Sequence, residues 1–196
     1  MQVPDGHVAT IVTSLEMTHR PRPAPMPHST LRLMPWNKPA LDRYRALFRR
    51  IGAPWLWYSR LVMADADLIG HIHHPDVAIF AACDARGVEV GLLELDWRHA
   101  GECQLQHFGF VPELVGQGHG RWLMAQALLR AWRPGVDMVC VHTCTLDHPR
   151  ALGFYRKAGF TAYQRTIETF ADPRLDGVLP RDIAPHIPLL EPVTRR

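Results

Sequence analysis

Three glycines at alternate positions, Gly116, Gly118 and Gly120, stand between a strand-like run and a helix-like run. They constrain the fold more than any other feature of the chain. Glycine has no Cβ, so the backbone there can turn tightly and come close to a ligand. The helix expected from about Gly118 to Trp132 carries Leu123, Met124, Ala127, Leu128, Ala131 and Trp132 on one face, which anchors it on a sheet. Its unpaired first-turn amides and the positive end of its dipole then point at whatever lies over the loop. A pyrophosphate suits that position, and a glycine turn with no ligand is the alternative. Two other phosphate loops do not fit. A Walker loop ends in Gly-Lys-Ser or Gly-Lys-Thr, whereas Gly120 is followed by Arg121 and Trp122. A dinucleotide-binding unit begins a doubly wound parallel sheet, and the strands ahead of this loop read as antiparallel, although Asp137 stands near the place of its acidic residue.

Those strands are Val77 to Cys83, Val88 to Trp97 and Glu102 to Val111, joined by short turns at 84–87 and 98–101. After the loop the spacing predicts a helix, a strand over 138–143, a helix over 149–158 and a strand over 160–170. The closure expected is a mixed α/β sheet, mostly antiparallel, flanked by helices. Ahead of it, Val8 to Met17 reads as a strand, and Pro21, Pro23, Pro25 and Pro27 make an extended connector. Leu31 to Met34 is expected to return as a strand beside the first. Leu41 to Arg50 and Ala66 to His74 have helical character, the second ended by Pro75. One domain over 1–172 is expected: 1–28 strand plus connector, 29–76 an acceptor-side region, 77–172 the core. Residues 173–196 form a proline-rich tail that wraps the surface.

Downstream of the loop, Asp147, His148 and Pro149 open a helix that carries Phe154 and Tyr155 and ends at Gly159-Phe160. The succession of glycine loop, helix, strand, Phe-Tyr helix and Gly-Phe strand entry over residues 105–160 resembles the GNAT N-acyltransferase superfamily, and the likeness extends over about 77–172. The run from Val141 to Pro149 looks like an uncharacterised bacterial subgroup of it. The resemblance implies the GNAT fold, with two splayed central strands, and acetyl-CoA as co-substrate. It implies that Val115, Gly116, Gln117, Gly118, His119, Gly120 and Arg121 hold the pyrophosphate. Phe108, Gly109, Phe110 and Val111 would bond the pantetheine arm through their backbone, with Tyr155 beside the thioester sulfur. A phenol with a pKa near 10 can hand a proton to a leaving thiolate of pKa about 8.5. Two positions depart from the family pattern. Val115 stands where Arg or Gln is usual, and His148 where Asn is frequent.

The implied activity is transfer of an acetyl group to a primary amine of a small molecule or peptide by direct attack. The alternative is a non-catalytic acyl-CoA-binding or sensor protein. Attack needs a neutral amine, hence a base. Glu94 is the candidate, sharing a strand face with Asp96, and the bland alternative is an ordinary exposed strand acid. Trp57 and Arg60, within the group Trp55, Trp57, Tyr58, Arg60, are candidates for the acceptor wall, with Arg60 pairing an acceptor carboxylate. Core packing is the alternative for the aromatics. His71, His73 and His74, or His142, Cys144 and His148, have no recognised ligand spacing, so no metal is expected. The 22 Lys and Arg against 19 Asp and Glu form no basic run, so no nucleic-acid partner is expected. No apolar span of membrane length and no leader-like segment stands out, and Cys83, Cys103, Cys140 and Cys144 show no paired spacing. A cytoplasmic protein with free thiols is the expectation, with a homodimer left open.

Overall fold

The alternation of small and branched apolar residues after His7 builds β1 (His7–Met17), which is buried on both faces over much of its length. A strand buried on both faces belongs inside a sheet, and β1 lies there. The computed structural model describes residues 2–191. Within them a seven-stranded sheet runs in the order β2-β3-β4-β5-β6-β1-β7, with β2 (Arg32–Pro35), β3 (Val77–Cys83), β4 (Glu89–Asp96), β5 (Glu102–Phe110), β6 (Met138–Cys144) and β7 (Thr161–Ala171). The helices are α1 (Leu41–Gly52), α2 (Ser59–Val62), α3 (Asp65–Ile72), α4 (His119–Ala131) and α5 (Ala151–Lys157). Five of the six neighbouring pairs are antiparallel and β5–β6 is parallel, as the mixed pattern predicted.

One placement differs from expectation. Residues 31–34 do not return beside β1: β2 pairs with β3, Arg32 opposite Cys83, at the far edge of the sheet. The proline connector makes this reachable. Prolines fix φ and withhold amide donors, so the segment can neither coil nor join a ladder. Extended at about 3.3 Å per residue, residues 18–31 reach roughly 45 Å, against about 24 Å for five strand spacings. On the way the connector crosses α4, where Ser29 Oγ lies 2.9 Å from His119 Nδ1.

Successive residues of a strand face opposite sides, and β5 shows which helices lie on each side. His107 meets Phe48 of α1 at 5.0 Å between ring centroids and Trp57 at 5.3 Å. Phe108 meets Phe154 and Tyr155 of α5 on the other side. The α4 start joins that side through His119 and Phe110. Beyond β7 the chain has no further helix or strand among the described residues. It is pinned by a buried ion pair, Arg174 Nη2 to Asp172 Oδ2 at 2.7 Å, and by Leu179 and Ala184 packing on Val8, Ala53, Leu56 and Leu146. Of the expected tail, 192–196 lie outside the described residues, as does Met1. No helix among the described residues is long and apolar enough to cross a membrane.

Candidate active site

The parallel pairing of β5 with β6 covers only Glu102–Leu105 against Met138–Val141. Past Leu105 the strands part. The register between β4 and β5 shifts at the same place, with Glu94 opposite His107 and Leu95 opposite Leu105, so Gln106 is extra. A bulge of this kind adds twist and turns a strand away from its neighbour. The parting opens a cavity of about 810 Å³ that passes through the sheet and is walled by β5 from Gln106 to Phe110, by His142 and Cys144 of β6, and by the loops above.

On the α4–α5 side lies the glycine loop. A single 3₁₀ turn, Pro112–Leu114, leads into it, and Gly116 and Gly118 take φ of +87° and +90°. A side chain at either position would be strained, so glycine is required by the backbone path itself. Gly118 caps α4, leaving the amides of His119, Gly120 and Arg121 without an intrahelical partner. Arg121, Arg150 and Lys157 also line the cavity, and a Cβ built on Gly116 would lie 3.5 Å from Arg150 Nη2. The loop therefore offers backbone donors, a helix N-terminus and three cations, a set that matches a polyanion. Val115 lies exposed at the loop start, with no charge to lend. Of the residues expected to touch the cofactor, Phe108, Gly109, Phe110, Val115, Gly116, Gly118, Gly120, Arg121, His148 and Tyr155 line the cavity. Gln117, His119 and Val111 do not. The Gln117 side chain turns back to the Glu113 carbonyl at 2.6 Å, His119 turns to Ser29, and Val111 is buried with its amide on the Val90 carbonyl.

Tyr155 is buried beneath the cleft, edge-on to Phe108, Phe154 and Phe160. Its hydroxyl has no hydrogen-bond partner among the described residues, and burial, with Asp147 adding to it, raises its pKa well above the ordinary phenol value. The phenol thus stays protonated. It is a weaker acid than its reference value implied, so it can donate a hydrogen bond to a sulfur more readily than release its proton. His148 accepts the Arg150 amide at 3.1 Å on Nδ1 and stands edge-on to Trp55 at 5.4 Å. Burial and Arg150 lower its pKa, which keeps it neutral at pH 7.

On the α1–α3 side the structure corrects two expectations. Glu94 is neither an exposed acid nor a free base. It is 0% exposed and receives Tyr44 Oη at 2.6 Å, Arg60 Nη2 at 2.9 Å and His71 Nε2 at 2.7 Å, with His107 Nδ1 at 3.3 Å. Despite the cost of burial, His107, His71 and Arg60 hold it ionised well below the usual carboxylate range. A carboxylate so committed is a poor proton acceptor. Arg60, for its part, is spent on Glu94 inside the protein and is not free for an acceptor carboxylate. His107 is what the network presents to the cavity: its Nδ1 faces Glu94, its Nε2 has no partner among the described residues, and burial lowers its pKa so that it is neutral. Trp57 does line the cavity, held by Nε1 donating to Asp147 Oδ1 at 3.1 Å. Asp147 also accepts Thr143 Oγ1 and the Cys144 amide. Sequence reasoning missed Arg150, Lys157 and the bracing role of Asp147. The Asp-His-Pro-Arg opening of α5 was the available signal for two of these.

Residues 75–162 match the profile of the acetyltransferase (GNAT) domain. Among solved structures, a GCN5-related N-acetyltransferase from Sphaerobacter thermophilus superposes with a TM-score of 0.57 at 19% identity, over 84% of this chain and 53% of that one. A conserved protein of unknown function from Staphylococcus epidermidis gives 0.53 at 13% identity over 85% of this chain and 63% of that one. The chain thus spans less than two thirds of the length of both. A dodecameric spermidine N-acetyltransferase from Vibrio cholerae gives 0.54 at 18% identity, over 79% and 99%. No curated protein matches the sequence.

Proposed function

Because the chain carries a GNAT acetyltransferase domain in residues 75–162, we propose that it is an acyltransferase that moves the acetyl group of acetyl-CoA to a primary amine of a small molecule or peptide by direct attack. The observation that carries this is the cleft through the sheet, with Tyr155 on one side of β5 and the Glu94-held His107 on the other. A cofactor entering from the loop side and an amine entering from the α1 side meet between them.

The residues divide the work. The loop amides, Arg121, Arg150 and Lys157 would hold the phosphates, and the freed β5 edge from Phe108 to Phe110 would align the pantetheine arm. Acetyl-CoA itself supplies the activated acyl group. On the acceptor side, neutral His107 takes one proton of the acceptor ammonium on Nε2, and the neutral amine that results is the nucleophile. Glu94 beside Nδ1 keeps the ring oriented and favours the imidazolium that forms, as in other carboxylate-held histidine bases. The amine nitrogen forms its bond to the acyl carbon and gives up its second proton to water, the carbon–sulfur bond breaks, and the sulfur leaves as thiolate. Tyr155 donates a hydrogen bond to that sulfur, and the proton that completes the thiol comes from water. Most of the acceleration is positioning.

Thiol release from acetyl-CoA across a panel of amines, amino acids and peptide amino termini tests this reading. Amine-dependent release is expected, and Tyr155→Phe, which removes one hydrogen-bond donor to the developing thiolate, is expected to lower kcat roughly a hundredfold with CoA affinity little changed. Tight CoA binding with no turnover on any acceptor would favour the sensor reading instead.

A further inference from the structure

The two sides of the cleft differ in charge. The three Lys and Arg side chains that line the cavity are Arg121 in the first turn of α4, Arg150 just ahead of α5 and Lys157 at the end of α5. The side reached by His107 is built otherwise. β1 and β7 pair with Val12 opposite Thr166, Thr10 opposite Glu168 and Val8 opposite Phe170, so Glu168 and Phe170 point to one face. Phe170 stacks on Tyr58 at 5.0 Å between centroids, which places that face on the α1 side with Trp57 and His107. Two carboxylates line this end: Asp147, saturated by Trp57, Thr143 and the Cys144 amide, and Glu168, which has no partner among the described residues. Arg60, the guanidinium of the neighbouring 55–60 segment, is buried on Glu94.

We propose that the acceptor is a lipophilic primary amine without an acidic group, an aryl- or alkylammonium whose apolar body lies against Trp57, Tyr58 and Phe170 and whose cation is drawn in by Glu168. The inference rests on the acetyltransferase reading. Aromatic faces attract an ammonium as well as apolar carbon, so one wall serves the body and the head of such a molecule. An α-carboxylate would meet Glu168 and Asp147 with no free cation at this end, and like charges brought together across a contact are strongly disfavoured.

Two matched pairs test it: 2-phenylethylamine against phenylalanine, and tryptamine against tryptophan. Each pair shares a body and differs by one carboxylate. With wild-type protein and acetyl-CoA, kcat/KM is expected to be roughly a hundredfold higher for the amine of each pair, and Glu168→Arg is expected to shrink that ratio at least severalfold. Equal or better use of the amino acids, or a ratio unchanged in Glu168→Arg, overturns the acceptor class and leaves acetyl transfer standing. Turnover of no amine by protein that binds acetyl-CoA overturns both.

Discussion

Glu94 and His107 lie together on the side of the cleft proposed to take the acceptor. A lone buried carboxylate would be driven towards its neutral form, but Tyr44, Arg60, His71 and His107 surround this one and keep it ionised. In the proposed reaction Glu94 is therefore a positioning residue and His107 the base. Because burial lowers the folded pKa of His107, the ring is deprotonated, and active, above that value. The acid limb of kcat/KM is expected below the ordinary histidine value of about 6.5, with activity rising as pH rises through it. His107→Gln should lose that limb and about two to four orders of magnitude in kcat, while a pH profile of unchanged shape would remove His107 from the mechanism. Glu94 also matters for stability. Its folded pKa is depressed, so its contribution is present above the unfolded value near 4.3 and fades as pH falls through the folded one. Glu94→Gln leaves the Arg60 guanidinium buried without its counter-charge, a loss of about 3–5 kcal/mol, read as a fall in Tm of roughly 10 °C. A Tm within 2 °C or so of wild type would show that Arg60 finds compensation elsewhere. None of this network was legible in the sequence, because its members lie 13 to 50 positions from Glu94. Tyr155 and the glycines were legible, since their neighbours along the chain carry the pattern.

At the level of elements, the cleft depends on two local departures from regularity: the extra Gln106 in β5 and the left-handed glycines ahead of α4. The glycines were visible as an alternating triplet. The bulge was not, because a single extra residue leaves no mark on the apolar pattern of Glu102 to Phe110. Gly118→Ala is expected to strain the α4 cap by about 1–2 kcal/mol and to weaken acetyl-CoA binding roughly tenfold or more, corresponding to that strain released as misplaced amides. Gly70→Ala, in α3 with open space around its Cβ, should instead be neutral or stabilising by up to about 1 kcal/mol. Equal CoA affinity in wild type and Gly118→Ala would mean that the loop does not hold the phosphates. The position of β2 beside β3 is likewise not written in its own residues. A strand's composition reports that it will pair, whereas its partner is chosen by connector reach and by which edge remains open, here β3.

For the molecule as a whole, the order of the strands fixes what can meet in the cleft. β1 lies between β6 and β7, so the amino-terminal strand brings the β7 residues Glu168 and Phe170 to the proposed acceptor wall, while the family-like segment supplies the loop, Tyr155 and His107. The tail closes the Val8 end through Arg174, 2% exposed and bonded to Asp172 and to the Ile183, Ala184 and Ile187 carbonyls. The mixed architecture and its helix–strand succession were readable from apolar periodicity, whereas the sheet order, set by contacts far apart in sequence, was not. The gap between β5 and β6 is proposed to be an acetyl-CoA site joining two faces of the sheet. The structure of the protein crystallised with acetyl-CoA tests it most directly. The pyrophosphate is expected over the amides of residues 118–121, the pantetheine along Phe108 to Phe110, and the thioester sulfur within hydrogen-bond reach of the Tyr155 hydroxyl with its carbonyl carbon open to His107. A cofactor bound elsewhere, or a thioester that does not enter the gap, would contradict it.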